Sequence, residues 1–115
     1  MEVVLNAKQL STNELFAGWR SPRTPSTLKL GDIVGVRGRS WRLALIRCTF
    51  GYLLPGERVY HKGVWWAVVE LNYMNWLVRV GETRAPLGGC FGPLVWLDQH
   101  TEVQTLVLLE RRTAR

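Results

Sequence analysis

Cys48, Cys90, His61 and His100 are the side chains of this sequence best suited to hold a metal or to attack a substrate. Zinc fingers and ribbons bring their ligands in closely spaced pairs, and none of these four has such a neighbour, so their spacing supports no zinc site. A Cys48 and His61 nucleophile pair would need a third residue to orient the imidazole and donors for an oxyanion; no motif near either residue supplies them. The glycine loops that cradle nucleotide phosphates, G-x-x-x-x-G-K-[ST] and G-x-G-x-x-G, are absent as well. The expectation is a protein that is not an enzyme and uses no cofactor, with His61 a hairpin residue and His100 a turn residue. Two cysteines in 115 residues are far below the density of a secreted disulfide scaffold. Both are expected as buried small hydrophobes, with one disulfide between them as the alternative.

The remaining chemistry is cationic. The net charge of +6 comes from one stretch: residues 20 to 47 hold Arg20, Arg23, Lys29, Arg37, Arg39, Arg42 and Arg47 against Asp32 alone, and the rest of the chain balances. An imbalance this local is the footprint expected of a surface that meets a polyanion, although a solvated arginine face would look the same. Guanidinium forks bind phosphate oxygens bidentately, so Arg37, Arg39, Arg42 and Lys62 are candidate phosphate contacts, with Arg20 and Arg23 adding an arm.

The elements that must position these residues follow from pattern. Length allows one ordinary domain, and a composition of 47% hydrophobic and 21% charged residues is that of a globule. "STNELFAGW" places Glu14 three residues after Ser11, a capping-box spacing, and Leu15, Phe16 and Trp19 follow; one short helix is predicted, its apolar face on the core. "RSPRTPST" carries Pro22 and Pro25 and reads as an extended linker or arm, so residues 1–30 are expected to stand apart from a domain at 31–115. From Lys29 onward, short alternating runs between turn residues predict strands near 32–37, 41–49, 57–61, 64–71, 74–80, 92–97 and 103–109. "GETRAPLGGC" is expected to be a mobile loop. The fold class is therefore all-β: a small barrel of five to seven short antiparallel strands with one N-terminal helix. No run of 18 apolar residues and no signal-peptide pattern occurs, so the expectation is a cytoplasmic or virion-interior protein without membrane contact.

Strand alternation sorts the faces. Trp41, Leu43 and Leu45 share a core side with Val34 and Val36, leaving Arg37 and Arg42 outside and Arg39 at the turn, clustered at one end of the first hairpin. Trp65 and Trp66 must face opposite ways; Trp66 is the candidate interface aromatic, able to stack a base or fill a protein pocket unless the N-terminal helix covers it. Trp76, with Met74, Val78 and Val80, reads as core. "GDIVGVRGRSW" at 31–41 echoes "GERVYHKGVWW" at 56–66, matching Arg37 with Lys62, Gly38 with Gly63 and Trp41 with Trp66. Two hairpins solving one turn problem explain the echo better than a duplication.

"LGDIVGVRGRSWRLALIR" followed by "GERVYHKGVWWAVVEL" resembles SH3-like small β-barrels, including KOW-type hairpins of ribosomal and transcription proteins. It is also similar to connector barrels of tailed-phage head-to-tail junctions, and to the later strands of PilZ-type barrels in a form lacking their upstream ligand motifs. These resemblances imply a binding module: one that contacts RNA or DNA phosphates within a larger assembly, or a structural subunit that docks on other proteins. The expected partner is nucleic acid or an acidic protein surface.

Overall fold

Three tight turns organise the strands. In the computed structural model, which describes residues 8–18, 28–81 and 86–111, two-residue turns at Arg37 and Gly38, Lys62 and Gly63, and Asn72 and Tyr73 each have positive φ at both positions. Such turns match the right-handed twist of the flanking strands and set the hairpin register. Val36 pairs with Arg39, His61 with Val64 and Leu71 with Met74. Each hairpin also carries the same clasp: the indole N–H of Trp41 donates to the Val36 carbonyl (3.1 Å), that of Trp66 to His61 (3.3 Å) and that of Trp76 to Leu71 (3.3 Å). A tryptophan five residues after the last residue of the incoming strand thus returns over the turn. The echo between the first two hairpins has a physical basis in this clasp, and the third hairpin shares it.

The elements run in the order β1 (Gln9–Ser11), α1 (Thr12–Gly18), β2 (Ile33–Val36), β3 (Arg39–Thr49), a 3-10 turn (Phe50–Tyr52), β4 (Arg58–His61), β5 (Val64–Leu71), β6 (Met74–Val80), β7 (Cys90–Trp96) and β8 (Glu102–Glu110). All strands join one antiparallel sheet in the order β2-β3-β8-β4-β5-β6-β7. The fold is all-β with one short helix, as expected, and each of the seven anticipated strands is present. The eighth, β1, pairs Gln9 with Leu109 and Ser11 with Val107, on the β8 edge that β4 occupies further along at Thr105 and Gln104. The described part of residues 1–30 therefore belongs to the same sheet as the rest. Among the described residues no pairing joins β2 to β7, and these remain the two ends of the sheet.

Two apolar clusters hold it. In the first, Val34, Val36, Trp41, Leu43, Leu106 and Leu108 meet Trp65, Ala67, Val78 and Val80, with Leu10, Leu15 and Leu87 at the margin. The second gathers Phe50, Leu53, Val59, Val68, Leu77 and Val103. Neighbours Ala67 and Val68, like Leu77 and Val78, fall in different clusters, so the middle of β5 and β6 is buried on both faces. That is why "WWAVV" reads as a continuous apolar run.

The helix begins as its sequence predicts. Glu14 N–H donates to Ser11 Oγ (3.2 Å) and Ser11 N–H to Glu14 Oε2 (2.8 Å), the two reciprocal bonds of a capping box. Leu15 is fully buried and Phe16 packs on the first cluster. Polar contacts fix the helix to the start of β4 and the segment before it: Arg58 N–H donates to Thr12 Oγ1 (3.3 Å) and Asn13 Nδ2 to the Pro55 carbonyl (2.9 Å).

Four expectations change. The loop before β7 is not loose throughout: Leu87 is 3% exposed within the first cluster, because the Pro86 and Gly88 flanks let the chain dip inward. Residues 82–85 of that loop lie outside the described residues, as does the Pro22 and Pro25 linker. Cys90 is exposed on an end strand and Cys48 half-buried, both as free thiols, so neither the buried pair nor the disulfide holds. Trp76 is only half-buried and Met74 exposed, since both sit at the turn end of β6, past the core. Trp66 packs beside the second cluster, whereas α1 lies on the first. No described helix is long and apolar enough to cross a membrane.

Candidate docking surface

The expected cationic patch is divided. Arg37 is exposed at its turn, but Arg39 Nη1 reaches both carboxylate oxygens of Glu110, at 3.0 and 3.3 Å. Arg39 and Arg42 sit at odd and even positions of a regular strand and so emerge on opposite faces; Arg42 lies between Ile33 and Leu109 of the adjacent strands. Arg47 is at the other end of β3, 3.8 Å from Glu102 in a contact open to solvent. Lys62 is at that end too, since Tyr60 pairs with Gln104, and a groove of about 310 Å³ brings Lys62 together with Arg47, Tyr60, His61 and Glu102. With eleven residues, β3 holds Arg37 and Lys62 at ends roughly 33 Å apart. Arg20 and Arg23 fall outside the described residues. Clustering around the first hairpin therefore does not extend to Lys62, and the ion pair with Glu110 offsets part of what remains.

No group of three His, Cys, Asp or Glu side chains able to hold a metal occurs among the described residues. Burial, and then the charge of Glu57, push the Cys48 thiol above its ordinary range, the direction that makes a cysteine inert.

What the fold leaves open lies at its other end. Every residue of β7 is exposed, including Phe91 (63%), Leu94, Val95 and Trp96 (54%), and beside it stand Leu71, Tyr73 (99%) and Met74. The strand is an end strand, yet its edge is blunted: the β6 ladder shifts register between Leu77 and Arg79, Gly92 has φ 106, and Pro93 has no N–H to offer. A bulge and a proline are devices that prevent edge pairing, so the side chains of β7, rather than its backbone, are what it presents.

A groove of about 590 Å³ opens between the β5–β6 turn and the segment before β8, lined by Phe50, Glu70, Tyr73, Met74, Trp96 and Asp98 among others. The Glu70 carboxylate forms no ion pair or hydrogen bond among the described residues, and Asp98 Oδ1 accepts the His100 N–H (2.8 Å). The groove thus joins aromatic walls to two carboxylates, in a chain whose net charge is positive. Tyr73 reaches it from φ 63, at the turn position that glycine normally fills. Holding a bulky residue there costs about 1 kcal/mol, and an aromatic ring kept wholly in solvent returns nothing to the fold. Sequence reasoning missed this site. Its one local signal was "LNYMNW", an Asn-Tyr pair between two apolar runs where Asn-Gly would be the ordinary turn.

Comparison with known protein families, with curated proteins and with solved structures gives no match to this chain.

Proposed function

We propose that this protein is a non-enzymatic assembly module that docks on another protein surface through the aromatic face formed by β7 and the β5–β6 turn. The observation that carries this reading is the complete exposure of β7 with its apolar side chains. Leu94 and Trp96 alternate with Val95 along the strand, so Leu94, Trp96, Leu71 and Met74, beside the Tyr73 turn, are the apolar side chains that one side of the sheet presents. Aromatic residues and methionine are also the types enriched at protein interfaces. A photoreactive residue in place of Trp96 should crosslink to protein in cells, while the same group in place of exposed Gln104 should not. Equal crosslinking at both positions, or none at position 96, would overturn the reading.

Contact with nucleic-acid phosphates is the second reading. It is favoured by Arg37 and Lys62, both held at positive φ in exposed turn corners where asparagine would cost less. An oligonucleotide titration across salt concentrations tests it.

A further inference from the structure

We propose that the occupant of the acidic aromatic groove is the Arg37–Gly38 turn of a second copy of this chain, so that copies associate head to tail. The inference rests on the docking reading above and names the partner of that surface. Its first ground is charge complementarity. The groove holds Glu70 and Asp98, and Arg37 makes no ion pair among the described residues, its neighbour Arg39 being taken by Glu110. A guanidinium entering between the carboxylates would also lay its planar face on Trp96 or Tyr73, the combination of bidentate and cation–π contact that suits arginine better than lysine.

Position is the second ground. The Arg37 turn immediately precedes β3 and the groove wall at Phe50 and Gly51 immediately follows it, so tip and groove sit at opposite ends of that eleven-residue strand. Lys62, the other cationic corner, lies toward the groove's end of β3 and cannot supply the same end-to-end geometry. The tip is also slender: a Cβ built at Gly38 would meet nothing within 4 Å. Two different patches at opposite ends make a heterologous contact, which repeats from copy to copy into a ring if the rotation closes and a filament if it does not.

Sedimentation velocity on the full chain tests this. Mass should rise with concentration and fall back in high salt. R37E alone, and E70K combined with D98K, should each weaken association on the order of thirtyfold or more, the loss a hot-spot side chain carries. All three residues are outside both apolar clusters, and an unchanged circular dichroism melt verifies the fold of each variant. A mixture of the two variants is the sharpest arm. One keeps the native groove and the other the native tip, and R37E reverses the tip's charge just as E70K with D98K reverses the groove's, so the mixture should regain the association that each variant alone has lost. A wild-type chain that stays monomeric at all concentrations overturns the inference, and so do oligomers indifferent to both variants. If oligomers survive R37E but are lost in W96S, or if wild type is monomeric while position 96 crosslinks to other proteins, the docking face stands and the Arg37 tip is not its occupant.

Discussion

Each of the three indole clasps satisfies a carbonyl at the mouth of a turn, but their surroundings differ. Trp41 is buried in the first cluster, Trp66 is half-buried, and the Trp76 bond is open to solvent. Such a hydrogen bond costs more to lose the less water can replace it. Phenylalanine at these positions should therefore destabilise in the order Trp41, Trp66, Trp76, from about 2–3 kcal/mol down to about 0.5 kcal/mol. Urea denaturation measures this, and equal losses at all three sites would overturn the ranking by burial. Tyr73 gives the opposite sign. With its ring wholly exposed and φ at 63, Tyr73→Gly removes strain without removing burial, so it should stabilise by about 0.5–1 kcal/mol while weakening docking. A destabilised Y73G would mean that the ring packs on the groove in solution. The first two clasps are visible in the sequence as matched glycines and tryptophans. The third is hidden because its turn lacks the glycine that marks the others.

At the level of elements, the N-terminal segment is part of the core. The sequence shows the capping box, because its two residues are local, but not β1, because three residues carry no period. Nor does it reveal that β8 leaves part of an edge for β1, a pairing across almost the whole chain. Removing residues 1–30 would uncover that edge and take Leu10 and Leu15 from the first cluster, at about 2–5 kcal/mol each. That is comparable to the whole stability of a small domain, so the truncated chain should show no cooperative melt. A melt like that of the full chain would restore the picture of an appended arm. Glu57, 7% exposed where the segment before β4 meets α1, adds a pH test. Burial raises its pKa, and the Glu14 charge adds to this, against the Leu54 and Thr12 N–H groups that lower it. A carboxyl raised in the fold contributes stability below the ordinary glutamate range and loses it as pH climbs through the folded value. Glu57→Gln should therefore gain on wild type between acid and neutral pH in chemical denaturation. A constant gap would mean that the N–H donors hold the carboxylate charged. The same contrast between local and distant information applies to β7, whose run is legible as a strand although its exposure depends on being last in the sheet order.

Across the whole molecule, the Arg37 tip and the aromatic groove are separated along β3. Arg37 and Arg39 lie at the end where Glu110 is found, while Glu70, Asp98, Trp96 and Tyr73 surround the groove beyond the other end. The excess of arginine between residues 20 and 47 is plain in the sequence, but Arg39 reads there as a turn residue clustered with Arg42, and only its place at the start of β3 puts the two on opposite faces. The Glu110 partner is not legible, because it lies 71 positions away and reaches Arg39 only through the pairing of β3 with β8. This division limits how a polyanion can be held. One turn reaches about one or two phosphates, which predicts an affinity loss of only about three- to twelvefold between 50 and 200 mM salt, whereas four or more contacts from one patch would lose a hundredfold or more. Fluorescence anisotropy with a labelled oligonucleotide distinguishes the two. Glu110→Gln sharpens the measurement: it releases Arg39 beside Arg37, so the salt slope should steepen by about one phosphate contact, while the same change at Glu102, at the far end of β3, should leave binding at the Arg37 tip unaltered. A wild-type loss of a hundredfold would mean that the cations act together despite their separation, and the phosphate reading would then displace the docking one.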